Sequence, residues 1–323
     1  MRQIKNFSKE GFGEPSQMVP QKHFGRNHLR RFLPSPLPCT CLKLSSYDSF
    51  QVLSFATIAL WMLIFALCPF VLLTILSFLQ RNEEHFVDWH FNIHNYIALL
   101  DPLYVEVLWN SFWIAGISTF ACLLLGFPVA YAVTLCKKQQ QTAMLLLLML
   151  PFWINSLIRL YALRSFLGAE GLLNRVLLSL HMVVEPLDIL YTPFAVCLGT
   201  FYLYFPFMVL PLFAVLEKID PKLIEAARDL GAKGPAIFWY ILWPLSRSGV
   251  IAGCILVFLP SLGCFCASML LGGSKVQVLG SSVSAAFLEA GDWPLGAALS
   301  MFLFIFMLLL LLVYVKALKR ELA

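Results

Sequence analysis

Apolar runs of bilayer length recur along this chain, and a run of that kind has one structural option. Lipid offers the backbone no hydrogen-bond partners, so a stretch of about 20 apolar residues that crosses a membrane must be helical. Six such spans are expected, at 52–79, 107–135, 143–163, 191–216, 249–271 and 295–315. The first contains Pro69, which predicts a kink or a tilt. Composition agrees: 60% of the 323 residues are hydrophobic, 13% are charged and mean hydropathy is +0.80, against roughly 45–50% and about 25% in a soluble domain. A water-soluble fold is excluded, and the expected class is an all-α membrane protein of six transmembrane helices.

Orientation follows from where Lys and Arg fall. The tail 1–51 carries eight, the connectors 136–142 and 217–248 carry two and five, and the C-terminus adds Lys316, Lys319 and Arg320. These alternate segments hold 18 of the 23 basic residues, which predicts that both termini are cytoplasmic. The first outer loop is acidic, with Glu83, Glu84, Asp88, Asp101 and Glu106 against Arg81. The net charge of +5 therefore reads as membrane topology, and no nucleic-acid partner is implied.

Residues 1–50 are basic and dotted with proline, the composition of a disordered cytoplasmic tail without a packed core. A signal peptide is excluded, because the first apolar run begins near Val52 and has the length of a full span. The tail suits anionic lipid, or serves as a plain solvated extension. Residues 51–323 form the expected transmembrane domain.

The nine cysteines fall in predicted spans or on the cytoplasmic side, which argues against a disulfide framework. Cys39/Cys41 and Cys264/Cys266 lack a second pair at ligand spacing, so no metal site is expected there. His90 and His94 stand four apart and on a helix would face a common ligand. Their neighbours Phe86, Trp89, Phe91 and Tyr96 read more simply as an interfacial belt. In 164–190, Leu172, Leu173, Val176, Leu177 and Leu180 recur at helical spacing, predicting a short amphipathic helix that lies on the outer face or caps a cavity. Segment 272–294 is too polar to span and is placed outside.

The segment 217–248 breaks the apolar pattern with charge and glycine. "PKLIEAARDLG" places Leu223, Ala226, Ala227 and Leu230 along one side of a helix and Lys222, Glu225 and Asp229 along the other. Pro221 suits its first turn and Gly231 the position just past its end. Pro235 then opens a second helix, and Pro244 marks its end or a kink. Two short helices meeting at a glycine elbow and fused to the next span can receive a push and transmit it. An ordinary intracellular loop is the competing reading of the spacing.

The stretch Glu225-Ala226-Ala227, Gly231, Ile241 and Pro244 resembles the EAA motif of ABC importer membrane subunits, with Trp243 where that motif carries leucine. Beyond it, "PFWINSLIRLYAL", "LYTPFAVCLGTFYLYFPFMVLPLFAVLEKIDPKLIEAARDLGA", "LLGGSK" and "DWPLGAALS" are similar to the spermidine/putrescine permeases of the PotB/PotH type. The resemblance covers nearly everything after residue 50. It implies a type I ABC importer permease (MetI-like) fold in a bacterial inner membrane. It also implies a cytoplasmic ATPase dimer, a second permease subunit forming a heterodimer, and an extracytoplasmic substrate-binding protein as partners. The loop 217–248 would be the coupling helix docked on the ATPase, through Glu225, Ala226, Ala227, Asp229, Gly231, Ile241 and Pro244. Alternating access driven by that ATPase would carry the polyamine inward.

No phosphate-binding loop is present, since "LLGGSK" lacks the Gly-x-x-x-x-Gly-Lys spacing. The subunit is therefore expected to be non-catalytic and to hold no cofactor, with ATP and magnesium on the partner. Candidate pathway residues are Asn155, Arg159, Tyr202, Tyr204, Asp292 and Trp293. Arg159 is an ionisable group within a span and a functional candidate by default, or else a side chain that snorkels to the interface. The aromatic faces suit ammonium groups through cation–π contact. Members of the family often carry carboxylates where this chain has Cys264 and Met269, a departure that weakens the polyamine reading. Three alternatives stay open: the same machine with ferric iron, an oxyanion or another solute, a polytopic membrane enzyme, and a secondary carrier.

Overall fold

The backbone of residues 49–81 and 88–322 is described by a computed structural model of the chain, and side chains are described between Leu53 and Lys316. The tail 1–48, with Cys39 and Cys41, and the loop residues 82–87, with Glu83, Glu84, His85 and Phe86, lie outside the described residues. The chain divides into two units, Met1–Met62 and Leu63–Ala323. In the first, the described residues are the opening part of α1 (Ser49–Ser77), whose apolar side chains are exposed. All packing described below belongs to the second.

Among the described residues, five helices are long and apolar enough to cross a membrane, at Leu53–Ser77, Pro102–Thr134, Pro193–Leu216, Gly234–Leu262 and Trp293–Lys316. α1 runs unbroken through Pro69. After it the loop folds back on the helix end: Asn95 donates to the carbonyl oxygens of Ser77 and Leu79, and Tyr96 shares a 2.8 Å hydrogen bond with Ser77. His94 opens the short α2 (His94–Ala98) while His90 precedes it, so the two histidines do not occupy one helix face as their spacing suggested.

The packed heart is α3 (Pro102–Thr134), α7 (Pro193–Leu216) and α10 (Trp243–Leu262). Cys122, Phe127 and Ala130 from α3 meet Met208, Val209 and Leu212 from α7 and Val250 and Val257 from α10. In lipid there is no hydrophobic drive between apolar helices, so association depends on close packing that small residues permit. Gly249 and Gly253 supply it on α10: added Cβ atoms there would stand 3.0 Å from the Pro211 carbonyl oxygen and 3.2 Å from that of Met208. Between α3 and α7, Ser118 donates to the Cys197 carbonyl oxygen at 3.2 Å.

The span expected at 143–163 is not one helix. α4 (Lys138–Met149) passes through a 3-10 turn at Leu150–Trp153, the chain bends by 88°, and α5 (Ser156–Leu167) follows. Pro151 removes a backbone donor at the bend, and the Asn155 side chain accepts the Leu157 N–H at 2.9 Å to start the new helix. The amphipathic helix expected after it is α6 (Leu172–Ser179). Leu173 packs on the core and Leu172, Val176 and Leu180 stay exposed.

The span expected at 249–271 also divides. The helical stretch Gly234–Leu262 starts earlier, and after Gly263 the short α11 (Phe265–Ala267) and a π-turn at Ser268–Gly272 follow. Segment 272–294 is more buried than its polarity suggested. Within it α12 (Leu279–Leu288) is too short to span, and its Leu279 N–H donates to the buried Ser111 hydroxyl oxygen at 2.7 Å. Gly280 sits against the Gly263 carbonyl, an approach that a side chain would block. α13 (Trp293–Leu322) closes the order, with Phe304 against Phe70 of α1 at 4.8 Å.

Candidate functional site

Two places gather the residues singled out in the sequence. The first is the loop after α7. α8 (Pro221–Asp229) begins where Asp220 accepts the Lys222 N–H at 3.0 Å, satisfying a donor at the helix start. It ends on Gly231, at φ +84°, a left-handed conformation that glycine enters without steric penalty. Gly231 N–H donates to the Arg228 carbonyl oxygen and Ala232 N–H to that of Ala227, at 2.8 and 2.9 Å. This closes the last turn and reverses the chain.

The face assignment made from spacing needs one correction. Ile224 and Ala227 turn inward onto the core formed by α3, α7 and α10, whereas Leu223, Ala226 and Leu230 are exposed, Leu230 by 89%. Ala227 therefore anchors the helix to the rest of the chain. Glu225 and Asp229 are exposed beside that outer apolar stripe.

The second helix of the elbow does not end at Pro244. α9 (Gly234–Ile237) runs through a π-turn at Phe238–Leu242 into α10, with Pro244 in its first turn. The wider π-turn accommodates a proline that has no N–H to donate, so the elbow and the span form one helical stretch. Ile241 packs on the core, and Trp243 lies 6.3 Å from Phe127 and 6.1 Å from Phe238. Lys138 reaches Glu217 at 3.6 Å, so the 136–142 connector and the start of this loop share one end of the bundle.

The second place is a cavity of about 570 Å³ between the bend before α5, the middle of α7 and the break after α10. Its walls include Phe152, Asn155, Arg159, Tyr204, Cys264 and Cys266. Arg159 is 7% exposed, and its guanidinium carbon lies 5.0 Å from the Phe152 ring centroid and 5.8 Å from that of Tyr202. Its Nε has no hydrogen-bond partner. Tyr204 donates to the Pro260 carbonyl oxygen at 3.3 Å.

Asp292 and Trp293 lie elsewhere. Asp292 accepts the Leu295 N–H at 3.1 Å at the start of α13 and stands 4.0 Å from Arg81, while Trp293 packs edge-on against Phe287. The chain thus brings Asn155, Arg159, Tyr202 and Tyr204 together and keeps the last pair apart. Sequence reasoning missed Phe152 and Cys266 as wall residues. The signal for Phe152 was its place just after Pro151 and seven residues before Arg159, which has meaning only once the 88° bend between them is known.

Residues 104–321 match the family of binding-protein-dependent transport system inner membrane components. The chain belongs to that family. This permease is 43% identical to the spermidine/putrescine transport system permease protein PotB of Haemophilus influenzae, over 84% of its own length and 95% of that relative's. It is 46% identical to PotB of Escherichia coli strain K12, over 81% and 95% of the two chains. In fold it matches a chain of a crystallised bacterial alginate ABC transporter at TM-score 0.69 and 16% identity, covering 84% of the permease and 95% of that chain. The MetI-like permease fold expected from the resemblance is present. The permease is a multi-pass inner membrane transport component, and its relatives are transport system permease proteins.

Proposed function

We propose that the permease is one of two membrane subunits of an ATP-driven importer that carries spermidine and putrescine inward by alternating access. The observation that carries this reading is 43–46% identity to PotB permeases over more than four-fifths of the chain. The Gly231 elbow supports a coupling role. Its exposed stripe, Leu223, Ala226 and Leu230 flanked by Glu225 and Asp229, is a surface for a cytoplasmic ATPase dimer. Ile224, Ala227 and Ile241 then tie that surface to the core that α7 and α10 share, Pro244 stands in the first turn of α10, and α7 walls the cavity through Leu203 and Tyr204. A rigid tie passes a displacement on, where a loose loop would absorb it.

The rest of the assembly follows from the same reading. Both termini and the elbow face the cytoplasm of a bacterial cell, a substrate-binding protein delivers cargo on the opposite side, and ATP and magnesium sit on the ATPase. The permease itself holds no cofactor. A second reading, another solute through the same machine, is favoured by one feature: the cavity wall carries Arg159 and no carboxylate, with Cys264 in the wall and Met269 exposed nearby.

Reconstitution of the full complex with its binding protein in liposomes decides between them. ATPase stimulation by spermidine or putrescine, with none by ferric iron or sulfate, is the expected result. Stimulation by one of the other solutes alone overturns the cargo while keeping the importer.

A further inference from the structure

We propose that the Arg159 cavity is the seat of a carboxylate supplied by a second, different permease chain packed across it. The inference rests on the two-subunit reading above. Arg159 is 7% exposed, lines the cavity, and its Nε is the buried side-chain nitrogen without a hydrogen-bond partner among the described residues. Two aromatic faces attend the charge, but none of the wall residues is acidic. Tyr204, on the same wall, stands halfway along the 24-residue α7, so the cavity lies at mid-depth of that span. Ionisable groups at such depth pair with one another or face water, and a buried charge stripped of its partner is strongly destabilising.

Three occupants compete for the site. A polyamine is repelled, since its ammonium groups carry the same sign as the guanidinium. A second copy of this chain has little to offer: α1, α4, α5, α7, α9, α10 and α13 up to Lys316 contain no Asp or Glu, and α3 has only Glu106, at its fifth residue. A helix of a different chain remains. The apolar rim suits it, with Trp153 87% exposed and Ile154 and Phe265 exposed beside it. A free anion such as chloride shares the chemistry and is distinguished below.

The test uses the full complex in nanodiscs, with this chain tagged and the second permease measured after dilution. Arg159→Leu is expected to lower its retention about tenfold, while Arg159→Lys, which keeps the charge but not the planar fork, lowers it less. Each transmembrane Asp and Glu of the second permease is then changed to Leu in the Arg159→Leu background. One such pair should restore retention, because an apolar pair can replace a buried ion pair when both charges go together. Full retention by Arg159→Leu, or no restoring pair, overturns the proposal. So does a wild-type complex that loosens when chloride is exchanged for gluconate. Polyamine-stimulated ATPase of the wild type, read in the same nanodiscs, reports the cargo separately: its absence alongside a restoring pair sinks the cargo reading and leaves the pairing standing.

Discussion

Gly231 donates its N–H to the Arg228 carbonyl oxygen at 2.8 Å while standing at φ +84°, and an added Cβ there would meet nothing within 4 Å. Space is therefore not what restricts this position; backbone chirality is. Any other L-residue pays about 1–2 kcal/mol for the left-handed conformation, and asparagine pays least. Gly231→Leu should insert into the membrane normally and lose polyamine uptake, with Gly231→Asn keeping most of it. Wild-type uptake by Gly231→Leu would remove the elbow from the coupling account.

Leu230 projects from the same turn with 89% of its surface exposed. An exposed leucine contributes little to folding, so Leu230→Glu should change thermal stability by less than about 0.5 kcal/mol. Its effect should appear in ATPase recruitment, as roughly a tenfold weaker affinity, or about 1.4 kcal/mol. Pull-down of the ATPase by detergent-solubilised permease measures it, and unchanged recruitment would assign docking to another surface.

Gly253 has the opposite constraint. A Cβ there would lie 2.7 Å from Met208 Sδ and 3.2 Å from the Met208 carbonyl oxygen. α7 cannot retreat without opening the core that Val209 and Leu212 share with Val257. Gly253→Leu should destabilise the permease by about 1–3 kcal/mol through overpacking, visible as a lower melting temperature in detergent. An unchanged melting temperature would show that the two helices slide freely, which a rigid coupling path does not allow.

Asn174 is wholly buried and serves three backbone groups: it donates to the carbonyl oxygens of Gly168 and Leu187 and accepts the Leu187 N–H at 2.9 Å. It fastens the 180–190 connector to α6. Asn174→Ala should leave those groups unsatisfied at about 1–3 kcal/mol each. Hydrogen exchange at Leu187 should accelerate, together with protease cutting after Leu180. Exchange at the wild-type rate would show that the connector is held by other contacts.

Much of this was legible beforehand for identifiable reasons. Spans within α3 and α7 were visible because lipid forces a long apolar run to be a helix, and no tertiary contact competes with that demand. Pro221 and Gly231 marked the ends of α8 because proline and glycine act through their own backbone, whatever surrounds them. The His90/His94 pair misled because spacing carries meaning only on a helix, and the chain before His94 is turned by Asn95 binding the end of α1.

By itself, then, the amino-acid order determined the class, the unbroken spans such as α3 and α7, and the elbow, since each depends on local chain length, hydropathy and backbone chirality. The tertiary structure decided what adjacent letters cannot: that the run 143–163 bends by 88° at Pro151–Asn155, that Ala227 faces inward and Leu230 outward, and that Arg159 lies buried between Phe152 and Tyr202. Those outcomes depend on which distant surface each residue meets. Burial and pairing are properties of contacts between helices, and they exist only once α5, α7 and α10 have packed.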